Sequence, residues 1–204
     1  MNRWKRISLL IIFTLIFGVI AFFHESRLGR WVDNEVYDFI YSTESLITTS
    51  FFIGVTRIAE VWVMICLSLI FVAYLLLKRY NIEALLFALT MTLSSTLNPL
   101  LKNIFERERP TLLRLIDISG FSFPSGHAMG STAFFGSLIY IANRLMKGKA
   151  KGTVIALCAC LILSICISRV YLGVHYTTDV VAGFLGGAFC LLMTTLILRN
   201  QLQI

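Results

Sequence analysis

The chain has 204 residues, of which 57% are hydrophobic and only 14% charged, and it carries a net charge of +7. A water-soluble domain holds roughly 25% charged residues, so an ordinary soluble fold is excluded, and one domain over residues 1–204 is expected. The positive balance does not indicate nucleic acid, because the basic residues sit in short gaps between apolar runs and form no basic stripe.

A bilayer core of ~30 Å needs about 20 apolar residues in helical form. The first run, Ile7–Phe23, follows Arg3, Lys5 and Arg6. No small-x-small cleavage site follows it, so it reads as a retained span rather than a signal peptide. In Leu28–Thr43, the residues Trp31, Val32, Val36, Phe39 and Ile40 fall near one helical face, with Arg30, Asp33, Asn34 and Asp38 largely elsewhere. That pattern predicts a helix on the membrane surface, read here as a connector packed against the bundle. Leu46–Arg57 is expected to form a second interfacial helix. Five more runs follow: Val61–Leu77, Ala84–Leu101, Ala128–Ala142, Thr153–Ile167 and Val180–Leu198. The expected fold is all-α, a six-transmembrane helix bundle with interfacial helices in the first extracytoplasmic loop. Cys66, Cys158, Cys160, Cys166 and Cys190 all lie inside apolar runs and read as small packing residues.

Six spans place both termini on one side. Arg3, Lys5, Arg6, Lys78, Arg79, Arg144, Lys147, Lys149, Lys151 and Arg199 gather there, opposed only by Glu83. The positive-inside rule makes this side cytoplasmic. A multi-pass protein of the cell membrane is expected, with loops 23–61, 102–123 and 168–179 outside.

Three clusters of ionisable residues lie at the outer ends of these spans, where such residues are costly and informative. Lys102 and Arg109 are seven residues apart, followed by Pro110; on a continuing helix they share a face and can hold an anion between a point charge and a planar fork. Pro124-Ser125-Gly126-His127 opens the fourth span, where free N–H groups and the Ser125 hydroxyl form an anion cradle beside a titratable imidazole. Arg169 precedes His175 and Asp179, which stand four apart and can meet on one helix face. Together they supply charge neutralisation, a nucleophile and a proton donor for phosphoryl transfer. There is no carboxylate cluster for magnesium and no zinc ligand set, so chemistry without a metal or other cofactor is expected. Gly126 and Gly130 form one pair of small residues and Gly183 and Gly187 another, which predicts close approach of the fourth and sixth spans. Phe121 and Phe123 beside the cradle read equally as lipid contacts or loop packing, and His24 as an interfacial residue.

The pattern K-x6-RP, PSGH, SR-x5-H-x3-D resembles the signature of the type-2 phosphatidic acid phosphatase superfamily, complete and in order between Lys102 and Asp179. The small size is similar to its bacterial membrane branch. The resemblance implies that His175 attacks phosphorus to give a phosphohistidine and that Asp179 orients it. It implies that His127 protonates the leaving oxygen and then activates water. Lys102, Arg109, Ser125, Gly126 and Arg169 would bind the phosphate. The implied substrate is a lipid phosphate within the bilayer, phosphatidylglycerol phosphate or undecaprenyl pyrophosphate, with phosphatidic acid or a broad range of lipid phosphates as alternatives. No nucleic acid and no obligate protein partner is expected. Vanadate haloperoxidases share the motifs but are not built from membrane spans. A small membrane transporter is the non-enzymatic alternative, but its charges should lie at mid-membrane rather than at span ends.

Overall fold

The computed structural model describes residues 3–111, 114–116 and 118–202. Among them the chain is helical throughout, with no strand: α1 (Arg3–Phe23), α2 (Arg27–Tyr41), α3 (Leu46–Arg57), α4 (Val61–Leu77), α5 (Asn81–Phe105), α6 (Gly126–Leu145), α7 (Gly148–Tyr171) and α8 (Thr177–Ile197). Helices α1, α5, α7 and α8 are long and apolar enough to cross a membrane. Helices α3 and α4 together make a fifth such unit, bent by 53°. The interfacial helix expected over Leu46–Arg57 is thus also a candidate upper arm of a broken span.

Helix α6, expected as the fourth span, is not among these apolar helices. Ser131, Thr132 and Ser137 lower its hydropathy, and all three are buried with Met129, Phe134 and Phe135. The reason is position: α6 packs against α5, α7 and α8, so its neighbours cover much of it and less of its surface has to suit lipid. The outer helices show the complement, with Leu15, Val19 and Phe22 of α1 and Trp62, Leu69 and Leu77 of α4 exposed. Such an apolar exterior is the expected surface of a multi-pass membrane protein. Cys158, Cys166 and Cys190 are buried as expected, whereas Cys66 and Cys160 are exposed on that exterior.

Close approach of α6 and α8 rests on the glycines of α8. A Cβ on Gly183 would lie 2.5 Å from the Ser125 carbonyl oxygen, and one on Gly187 would run into the Met129 carbonyl and sit 2.8 Å from the Thr132 Cβ. The glycines of α6 are used differently. Gly126 faces the Asn98 side chain of α5, and nothing lies within 4 Å of a Cβ on Gly130.

At the end of the bundle that carries the N-terminal basic residues, Arg6 Nη1 donates to the Thr195 carbonyl at 2.5 Å and ties α1 to α8. Arg144 bridges α6 to Glu83 of α5 at 3.2 Å and also donates to the Leu202 carbonyl at 3.0 Å. At the other end, α5 stops at Phe105 because Glu106 adopts a left-handed backbone with φ 46°. The helix therefore ends earlier than Pro110 predicts, and Arg109 is delivered by extended chain. Along that chain Arg107 and Arg109 are buried while Glu106 and Glu108 are exposed, the two-residue alternation of an extended backbone.

Candidate active site

The three motif clusters converge on one cavity of about 620 Å³. It is lined by Lys102 from the last turn of α5, Arg109 from the extended segment, Gly126 and His127 from the first turn of α6, Arg169 from the last turn of α7, and His175 from the turn before α8. The remaining wall carries Val61, Met64, Ile65 and Leu69 of α4 and Met91 of α5, with Ser68, Thr92, Ser95 and Asn98 between. Charge and apolar surface thus share a single chamber.

His175 is 3% exposed. Its Nε2 lies 3.1 Å from Arg109 Nη1. A guanidinium can only donate, so Nε2 carries the lone pair and the ring proton sits on Nδ1. That proton faces Ser122 Oγ at 3.2 Å and Asp179 Oδ2 at 3.4 Å. Ser122 in turn donates to Asp179 Oδ2 at 2.5 Å, so the carboxylate reaches the imidazole both directly and through a hydroxyl. Burial, first of all, pushes the His175 imidazole down to about 3, against the hydrogen bond and charge of Asp179. At neutral pH the ring is uncharged and its outer nitrogen carries a lone pair, which Arg109 occupies in this structure.

The cations are partly engaged. Lys102 Nζ donates to the Phe121 carbonyl at 2.6 Å. Arg109 Nε donates to the Gly120 carbonyl at 2.8 Å, and its Nη1 to that of Val174 at 2.9 Å. Arg169 Nη1 donates to Thr56 Oγ1 at the end of α3 at 2.5 Å, while its buried Nε and Nη2 have no protein partner. Arg169 lines the cavity, so these two unpaired guanidinium nitrogens are spare donors beside it.

Not every expected residue reaches the chamber. Ser125 is fully buried behind it: its Oγ accepts from the Ala128 N–H at 3.5 Å as the α6 cap, and its N–H donates to the Asp179 carbonyl at 3.0 Å. Asp179 also stands behind the wall, reaching the site through His175. Phe123 is fully buried against Phe17, His24 and Phe105, so its role is packing. His24 is buried and stacked 4.8 Å from Phe123.

Four residues around the site escape sequence reasoning: Ser122, Thr56, Arg107 and Asp33. Arg107 is buried and donates to Asp179 Oδ1 at 2.5 Å and to Asp33 Oδ2 at 2.8 Å. Burial raises the Asp33 carboxyl above its usual range, opposed by the Thr178 N–H and by Arg107. The only available signal was Asp33 itself, a carboxylate in an amphipathic helix, and nothing in its neighbourhood named the partner.

The family model of the PAP2 superfamily matches residues 83–203. Phosphatidylglycerophosphatase B of Bacillus subtilis is 34% identical over 64% of this chain and 66% of its own length. Glucose-6-phosphatase catalytic subunit 1 of Rattus norvegicus is 33% identical over 34% of this chain, a stretch that spans only 22% of the relative. The matched regions thus fall short of two thirds of either relative's length. Among solved structures, the transmembrane PAP2-type phosphatidylglycerolphosphate phosphatase of Bacillus subtilis superposes with a TM-score of 0.86 at 26% identity, covering 94% of this chain and 96% of that one. On this agreement of family model, motif positions and backbone, the chain belongs to the PAP2 superfamily.

Proposed function

We propose that this chain is a membrane lipid phosphatase that hydrolyses a phosphomonoester or diphosphate through a phosphohistidine. The observation that carries the reading is the chamber itself, which a histidine with an accepting outer nitrogen and three cations share with apolar side chains of α4 and α5. A phosphate joined to an apolar chain fits that combination. The apolar wall favours a lipid phosphate over a sugar phosphate.

In the first step His175 Nε2 attacks phosphorus as the bond to the lipid oxygen breaks. His127 gives its proton to that oxygen, and the bound phosphate's own charge favours the protonated form this requires. Lys102, Arg109 and Arg169 neutralise the equatorial oxygens, with the N–H groups at the start of α6 alongside. Arg109 shifts its donor from Nε2 to phosphate and frees the lone pair. In the second step, neutral His127 takes a proton from water. The water oxygen bonds phosphorus, the P–N bond breaks, and inorganic phosphate leaves with His175 restored.

Six spans with cytoplasmic termini put this chamber on the extracytoplasmic face, supported by the basic residues gathered at the opposite end. Phosphatidylglycerol phosphate is the favoured substrate, supported by the names of the Bacillus relative and structure; undecaprenyl pyrophosphate and phosphatidic acid are the competitors. Phosphate release from these three lipids by purified protein tests the reading, and no release from any of them would overturn it. His175→Ala is expected to abolish turnover and acid-labile phosphoenzyme. His127→Ala should cut lipid turnover by about 10²–10⁴-fold but still form phosphoenzyme from p-nitrophenyl phosphate, whose leaving group needs no proton.

A further inference from the structure

Asp179 is the only carboxylate in contact with His175 among the described residues, and its own position is set from outside the three motifs. We infer that Arg107, backed by Asp33 of the interfacial helix α2, is a positioning residue that holds Asp179, and through it His175, in register. The inference rests on the reading of His175 as nucleophile.

The geometry is a relay of charge-assisted contacts. Arg107 Nη1 donates to Asp179 Oδ1 at 2.5 Å and to Thr178 Oγ1 at 2.7 Å. Its Nη2 donates to Asp33 Oδ2 at 2.8 Å and, more weakly, to the His24 carbonyl at 3.4 Å. The Arg107 Cζ lies 3.9 Å from the centroid of the Tyr176 ring, a cation–π contact. Asp33 completes the frame, accepting from the Thr178 N–H at 2.8 Å and the Thr178 hydroxyl at 3.0 Å. These are donors of the first turn of α8, so α2 caps the helix that carries Asp179.

The need for such a clamp follows from the long direct contact between imidazole and carboxylate, 3.4 Å. Asp179 Oδ2 already accepts from Ser122 Oγ at 2.5 Å and the Tyr176 N–H at 3.0 Å. Its orientation toward His175 therefore depends on what grips Oδ1, and Arg107 does. Lysine cannot replace it, because one ammonium point charge cannot serve two carboxylates with a planar fork. The surface helix is thereby part of the catalytic apparatus, more than a connector.

The test is a double-mutant cycle on the purified full chain, reading kcat, KM, phosphoenzyme formation and thermal stability. Arg107→Gln should lower kcat by at least tenfold with KM changed less than twofold, and Arg107→Lys should recover only part of the loss. In an Asp179→Asn background, Arg107→Gln should cost less than twofold more, because its target is already gone. Asp33→Asn, which keeps shape and a hydrogen bond to Thr178, should lower kcat several-fold and serves if Arg107→Gln does not fold. Additive losses, or wild-type kcat in both Arg107→Lys and Asp33→Asn, would overturn the inference and leave the phosphatase reading standing. A wild-type chain that releases no phosphate, or forms no phosphoenzyme at His175, would remove the reading on which it rests.

Discussion

At the scale of single residues, the neutral His175 has a cost that pH reveals. Its pKa lies near 3 in the fold against 6.5 for the free side chain. Between those values the unfolded chain binds a proton that the native chain refuses, so this group's contribution to stability is complete above pH 6.5 and is lost as pH falls toward 3. The melting temperature in detergent should therefore drop more for wild type than for His175→Asn between pH 7 and pH 5, by about 2–4 °C for each kcal/mol involved. Equal slopes for the two proteins would contradict it. The cavity-facing residues were legible because their spacing is a property of chain order: Lys102, His127 and Arg169 occupy helix ends that the apolar runs delimit, and Arg109 and His175 stand just beyond such ends. Arg107 was not, because its meaning lies in a partner 74 residues away. Nor was the true setting of Arg109, because the left-handed turn at Glu106 has no glycine or asparagine to announce it.

Among elements, α6 and α8 show where periodicity reads well and where it stops. Small residues announced a close helix pair, and Gly183 and Gly187 make it. The partner face on α6 is Ala128, Met129 and Thr132, since Gly130 lines the chamber. A methyl at Gly187 has backbone in its way, so Gly187→Ala should destabilise the protein by about 1–3 kcal/mol and pull the two histidines apart. Gly130→Ala should leave stability unchanged within ~0.5 kcal/mol. Thermal denaturation of the two variants makes the comparison, and a reversed order would refute the packing. Hydropathy fails for α6 for a related reason: a helix largely wrapped by other helices need not be apolar to sit inside a membrane protein. The same blindness covers α2, whose amphipathic pattern was plain but whose Asp33 serves α8 rather than water.

For the whole molecule, the bundle brings Lys102, Arg109 and Arg169 to one chamber, with Asp179 behind its wall. Like charges gathered out of water repel, and a tetrahedral oxyanion relieves that repulsion whether or not it carries a lipid. Inorganic phosphate or vanadate at 100 times its Kd should raise the melting temperature by about 5–10 °C, while chloride at equal ionic strength should not, and Arg169→Gln should abolish the difference. On the proposed function, the liberated anion would satisfy the same donors as the ester, without the lipid chain. The freed ion should then compete with the next ester for those donors, so added inorganic phosphate is expected to inhibit turnover competitively in steady-state kinetics.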